Sequence, residues 1–203
     1  MTRRVAQRFR TCAAMLLLAA RAARAQAPAP TQYSLWLVPS GAQYDSLRQL
    51  SCDLAQRYAA HCSMPHVTVV GDVLGNLDDV SRRAHALALR TRAMTVELTT
   101  ISWVPGVFFR SFIVLVTETS EVSALYDATC ETVGKCQTRP FHMSLMYTDN
   151  LTDSAKAAVR DSVYSVIGRK QLGMTIRLDR LLVCSSAGLP PEKWTCPVSI
   201  ELR

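Results

Sequence analysis

Two short segments of the chain have the same form, Pro65-His66-Val67-Thr68-Val69 and Phe141-His142-Met143-Ser144-Leu145. Successive side chains of an extended strand point to opposite faces, so His66 shares a face with Thr68, and His142 shares one with Ser144. The residues between them are apolar and can anchor each strand to a core. The sequence therefore predicts two β-strands that each present an imidazole beside a hydroxyl, and we call these segments the first and second motifs.

A pair of such strands facing one cleft suits the hydrolysis of a phosphodiester. Imidazole titrates near neutral pH, so one histidine can accept a proton from water while the other donates one to the departing oxygen. Thr68 and Ser144 can hold the phosphate oxygens on which charge develops. A lone histidine beside a threonine is more often structural, but two matching motifs in a chain with four histidines favour catalysis. Neither a metal nor a cofactor is needed.

Hydrophobic periodicity predicts an α+β fold, because several neighbouring strands are joined without an intervening helix. The chain has a strand, a helix and a histidine strand early, and a helix leading to a histidine strand later, which suggests two lobes of similar plan. The predicted strands are 32–38, 66–70, 94–103, 107–116, 142–147, 174–184 and 194–202. The predicted helices are one of about 16 residues bearing Leu47, Leu50, Leu54 and Tyr58, then 78–90, 120–133, and one capped by Thr152 or Asp153 that ends at Gly168.

With its surroundings, this pattern resembles the 2H phosphoesterases, and within them the cyclic phosphodiesterases of plants and fungi. The resemblance covers residues 32–203. Besides the two motifs and their flanks it rests on Tyr33-Ser34-Leu35-Trp36-Leu37-Val38-Pro39, on Arg177-Leu178-Asp179-Arg180-Leu181-Leu182-Val183-Cys184, and on Trp194.

The resemblance implies two pseudo-symmetric lobes of antiparallel sheet with outer helices and a central cleft. It implies an enzyme that opens a small cyclic phosphate, such as ADP-ribose 1″,2″-cyclic phosphate or a nucleoside 2′,3′-cyclic phosphate, to a monoester. His66 and His142 would be the catalytic pair, and Thr68, Ser144 and Tyr147 would hold the substrate. Two other functions stay open, a nucleotide- or RNA-binding protein without turnover and a 2H enzyme that processes RNA ends.

The first 25 residues have the three regions of a secretory signal peptide, namely a basic start, the apolar run 11–20, and the small-residue pattern Ala23-Arg24-Ala25. We expect cleavage there, a linker over 26–31, and export to the periplasm or outside the cell; an organelle transit peptide is the alternative. Six of the 23 basic residues are arginines of this leader, which leaves 17 against 16 acidic residues. A nearly neutral mature chain argues against long nucleic acids as partners. We expect a monomer without a stable membrane anchor.

Loss of the leader removes Cys12 and leaves six cysteines, an even number that suggests disulfides in an exported protein. Six cysteines permit fifteen connectivities. Cys130 and Cys136 are close enough in sequence to close a local loop, and Cys184 and Cys196 can face each other in a terminal hairpin. The resemblance also implies the Cys130 pairing, since plant relatives have a cysteine pair at the same place.

Other candidates carry weaker arguments. His61 and His85 lie outside the motif pattern and are expected at the surface. The remaining residues have competing roles in the core, at the surface or in the cleft, and they are Trp103, Phe108, Phe109, Arg110, Arg139 and Trp194.

Overall fold

The structure is a computed structural model that describes residues 31–102, 112–134, 136, 140–148, 151–167, 173–186 and 188–203. The predicted leader and linker lie outside these ranges, except that Thr31 already belongs to the first strand. Five of the weaker candidates also lie outside the described residues, and they are Trp103, Phe108, Phe109, Arg110 and Arg139.

Within the described residues the chain forms nine strands and four α-helices, and the α+β prediction is confirmed. The strands are β1 (Thr31–Val38), β2 (His61–Cys62), β3 (Val67–Gly75), β4 (Met94–Ser102), β5 (Phe112–Val116), β6 (His142–Tyr147), β7 (Thr175–Leu178), β8 (Arg180–Ser185) and β9 (Thr195–Glu201). The helices are α1 (Gly41–Arg57), α2 (Leu77–Ala88), α3 (Ser120–Val133) and α4 (Asp153–Ile167).

The strands form one antiparallel sheet in the order β7-β4-β5-β6-β3-β1-β8-β9, and β2 pairs with β6 beside this path. The two motif strands, β3 and β6, are neighbours at its centre, and each has three further strands outside it. We call β3-β1-β8-β9 the first half of the sheet and β7-β4-β5-β6 the second half. This arrangement matches the predicted pair of similar lobes.

The two faces of the sheet have different neighbours, as β1 illustrates. Leu35 and Leu37 of β1 belong to the main core, in which the buried faces of α1 and α2 also lie. Trp36 and Val38 point to the opposite face, where they form a separate apolar cluster with residues of β8. One face of the sheet is therefore covered by helices, and the other carries the cluster around Trp36.

The strands differ from the prediction at three places. The predicted strand 174–184 is divided at Asp179 into β7 and β8, which lie in different halves of the sheet. We expected the first motif strand to end at Val70, but β3 continues to Gly75. The turn-forming residues Gly71 and Asp72 do not end the strand, because the β1–β3 register is irregular at this point and Asp72 has a φ of 53°. An irregularity of this kind inserts extra chain without ending the ladder. The prediction also missed β2, which has only two residues and hence no readable period.

Three disulfides pair the six cysteines that follow the predicted leader. Cys130–Cys136 and Cys184–Cys196 form as expected, and the second joins β8 to β9. The remaining bond, Cys52–Cys62, ties α1 to β2. The cap expected at Thr152 is also present, since its hydroxyl accepts a hydrogen bond from the Ala155 N–H. None of the described helices is both long enough and apolar enough to cross a membrane.

Candidate active site

The two motifs meet where β3 pairs with β6. Val67 lies opposite Met143 in this antiparallel pair. The residue before Val67 therefore faces the residue after Met143, and all flanking side chains point to the face opposite to that of Val67 and Met143. Residues directly across a strand pair have Cβ atoms about 5 Å apart, and diagonal neighbours roughly 7–8 Å apart. Two cross-strand pairs result, His66 with Ser144 and Thr68 with His142.

The histidines are thus diagonal neighbours, and each stands beside the hydroxyl of the other motif. At this separation the charge of His142 contributes to lowering the pKa of His66, after the larger effect of burial. Residues on a diagonal of roughly 7–8 Å can place their side chains on either side of one phosphorus atom. The sheet register brings the four polar residues of the two motifs together.

Each of the two imidazole rings is held by an equivalent hydrogen bond to a backbone carbonyl. His66 Nδ1 lies 2.6 Å from the carbonyl oxygen of Met64, and His142 Nδ1 lies 3.2 Å from that of Pro140. A carbonyl oxygen can only accept, so each Nδ1 donates its proton to the residue two positions earlier. In the neutral ring Nε2 is then the basic nitrogen. The pseudo-symmetry of the two halves therefore extends to the tautomer of each histidine.

His66 lies in an apolar environment. Its side chain is 5% exposed, its ring stacks on Trp36 at a centroid distance of 3.8 Å, and Trp194 approaches edge-on at 6.0 Å. Burial lowers the pKa of His66 to about 4; the bond to the Met64 carbonyl opposes this shift and the charge of His142 adds to it. His66 is therefore neutral at pH 7, whereas the His142 ring is only partly buried.

An irregularity in β6 determines where Tyr147 points. Ile113 of β5 pairs with Ser144, but the preceding Phe112 pairs with Met146, so Leu145 is an extra residue in β6. A bulge of this kind inverts the alternation of side chains beyond it. Tyr147 consequently shares a face with Ser144, and its ring contacts Trp194 edge-on at 5.3 Å.

The aromatic rings of Trp36 and Trp194 pack against each other beside the first motif. Their rings meet at 5.4 Å, and the Trp194 Nε1–H donates to the Leu189 carbonyl at 2.7 Å. Trp36 lies directly across the β1–β3 pair from Thr68. From the sequence, Trp194 has competing roles, and Trp36 is not identified as a site residue. The available signal was that Trp36 alternates with Leu35 and so faces away from the core, but its partner strand could not be read from the sequence.

The other two histidines lie outside the motifs, although His61 lies opposite Tyr147 in the β2–β6 pair. His61 of β2 pairs with Glu192 at 3.3 Å, and His85 is exposed on α2. Among the residues that the structure describes, no three histidine, cysteine or acidic side chains cluster as metal ligands would.

Comparison with known proteins finds matches only at the level of structure, since no protein-family model and no curated protein sequence matches the chain. LigT from E. coli superposes with a TM-score of 0.55 at 10% identity over 86% of this chain and 98% of LigT. TT0787 from Thermus thermophilus gives a TM-score of 0.56 at 10% identity over 85% of this chain and 98% of that protein. Both have the fold of the 2H phosphoesterase superfamily.

This chain has the 2H phosphoesterase fold. A third structure with this fold is LigT in complex with 3′-AMP, which matches with a TM-score of 0.52 at 11% identity over 86% of this chain and 98% of LigT. In this chain the two halves of the sheet meet at β3 and β6, which brings the two motifs together.

Proposed function

We propose that this protein hydrolyses small cyclic phosphodiesters to monoesters without a metal, with His66 and His142 as an acid–base pair. The observation that carries the proposal is the register of β3 and β6, which sets two imidazoles on a diagonal with a hydroxyl beside each. The candidate substrates are nucleoside 2′,3′-cyclic phosphates and ADP-ribose 1″,2″-cyclic phosphate. The LigT complex with 3′-AMP supports a nucleotide ligand for this fold.

We infer the roles of the two histidines from their different environments. His66 is neutral at pH 7 because burial lowers its pKa, so its Nε2 can accept a proton but has none to donate. His66 is therefore the general base that deprotonates water. The partly exposed His142 is the general acid, whose protonated Nε2 donates to the departing oxygen.

In this reaction water attacks phosphorus, a new P–O bond forms, and one P–O bond of the cyclic ester breaks. The proton of water goes to His66, and the proton of His142 goes to the oxygen that leaves phosphorus. Thr68 and Ser144 donate hydrogen bonds to the non-bridging oxygens, where negative charge increases in the transition state. We propose that Tyr147 contacts the substrate beside Ser144. Proton exchange with solvent then returns both histidines to their starting states.

The test is an assay of product formation from both classes of cyclic phosphate, with and without EDTA. We expect the wild type to be active in EDTA, His66→Ala and His142→Ala to lose nearly all activity, and the control His85→Ala to keep it. Full loss in EDTA, or full activity in both motif variants, would refute the mechanism. Chromatography of the product also identifies which oxygen keeps the phosphate.

The same assay separates the two alternative functions. A protein that binds adenosine 2′,3′-cyclic phosphate but forms no product in a long incubation is a binding protein. Cleavage at oligonucleotide ends, with mononucleotides left intact, identifies an RNA-end-processing enzyme.

We further propose that the protein is exported and that residues 1–25 are removed. Three disulfides support this proposal, because such bonds persist mainly in oxidising compartments. N-terminal sequencing of the mature protein tests it, and a mature chain that still begins at Met1 would contradict it.

A further inference from the structure

Two buried serines donate hydrogen bonds to backbone carbonyls of the second motif. Ser51 of α1 is 2% exposed, and Ser63, which follows β2, is fully buried. The Ser51 hydroxyl donates to the Leu145 carbonyl at 2.6 Å, and the Ser63 hydroxyl lies 2.9 Å from the Ser144 carbonyl as its donor. The Ser63 main-chain N–H donates to the Ser51 oxygen at 2.8 Å, which joins the two serines to each other.

The two carbonyls that these serines contact lie at the bulge of β6. Leu145 is the extra residue of that bulge, and Ser144 is the last residue before it. A bulge interrupts the ladder, so its carbonyls need hydrogen-bond donors from outside the sheet. The serine hydroxyls supply those hydrogen bonds. The bulge turns Tyr147 to the same face of the sheet as Ser144. By holding the bulge, Ser51 and Ser63 influence the orientation of both of these residues of the proposed site.

The Cys52–Cys62 disulfide joins the two segments that carry the serines. Cys52 follows Ser51 in α1, Cys62 precedes Ser63, and the two cysteines are bonded. Cys62 also pairs with Met146 across the β2–β6 ladder, immediately beyond the bulge. The covalent bond therefore fixes the segment that carries one hydroxyl against the helix that carries the other.

We propose that Ser51 and Ser63 are positioning residues for catalysis, which hold the β6 bulge so that Ser144 and Tyr147 face the substrate, and that the Cys52–Cys62 bond secures them. This inference rests on the proposed hydrolase function. The serines do not touch the reacting atoms, so they act only through the backbone of β6.

The experiment measures kcat and KM of Ser51→Ala and Ser63→Ala for the substrate that the wild type hydrolyses best, at a temperature where circular dichroism shows each variant to be folded. We expect kcat to fall roughly tenfold, equivalent to about 1.4 kcal/mol of transition-state stabilisation, with little change in KM. Ser51→Thr keeps the hydroxyl and is expected to stay near the wild type. Thr129→Val is the matched control, because it removes another buried hydroxyl that donates to a backbone carbonyl, but its acceptor is Leu125 of its own helix and not a residue of β6.

Equal kcat values for the serine variants and Thr129→Val would overturn the inference, since both would then report only a general effect of a buried hydroxyl. If neither serine variant folds, the double variant Cys52→Ala/Cys62→Ala tests the inference instead, because it keeps both hydroxyls and removes only the disulfide. A lower kcat with unchanged KM in that variant supports the inference, and wild-type kinetics contradict it. An inactive wild type would instead refute the proposed function, so the two failures are distinguishable.

Discussion

Replacing His66 with asparagine is expected to flatten the dependence of protein stability on pH. The pKa of His66 is about 4 in the folded chain, against an ordinary value of 6.5. Between these two values the unfolded chain binds more protons than the folded one, so the free energy of unfolding rises with pH and levels off above 6.5. At about 1.36 kcal/mol per pKa unit, acidification from pH 7 to pH 4 removes on the order of 3 kcal/mol through this one group.

The measurement is urea unfolding of the wild type and His66→Asn at several pH values from 4 to 7, followed by tryptophan fluorescence with the disulfides intact. Asparagine was chosen because its amide can still donate to the Met64 carbonyl. The difference in unfolding free energy between the two proteins is expected to change by up to about 3 kcal/mol across this range. His85→Asn removes an exposed histidine and should follow the wild type. A constant difference between His66→Asn and the wild type would refute the neutral, buried state of His66.

Three further predictions concern the site and the core. Trp36→Leu uncovers the His66 ring, so its pKa should rise towards 6.5 and the acidic limb of the pH profile of kcat/KM should move to higher pH; an unmoved limb would mean that stacking does not keep His66 neutral. Thr68→Val and Ser144→Ala should each lower kcat by roughly 100-fold, since each removes a donor to the transition-state oxygens, and steady-state kinetics showing only a higher KM would contradict this role. Leu37→Ala empties a fully buried site in the main core and should cost about 2–5 kcal/mol in chemical denaturation, whereas Leu89→Ala, at an exposed position, should cost little.

The sequence predicted those parts of the fold that have a local period. The helix at 120–133 and the strand at 142–147 have the predicted bounds, because apolar spacing is a local signal. In the structure Thr119 caps that helix and Gly134 ends it in the αL conformation. The composition of the two motifs similarly predicted which polar residues meet at the centre of the sheet.

Features that depend on contacts between distant segments of the chain could not be predicted from these local patterns. The stacking of Trp36 on His66 depends on which strand lies beside β3, and the bulge at Leu145 depends on the β5–β6 register. Ser51 and Ser63 are ordinary polar residues in the sequence, and only the packing of α1 behind β6 makes them partners of backbone carbonyls. Pairing between distant segments has no signature in either segment alone.

The strand order determines how much of the chain must be synthesised before the sheet can be completed. The first half of the sheet combines β1 and β3 with β8 and β9, the last two strands of the chain, and β7 closes the edge of the second half. A chain released by the ribosome after β6 would contain both histidine motifs, yet β1 would lack the strand that covers its free edge. Leu181 and Val183, which pair with β1 and complete the core beside it, would also be missing. Chains that end before β8 should therefore be unfolded and protease-sensitive despite carrying every motif residue, so the topology restricts the proposed activity to chains that extend through β9.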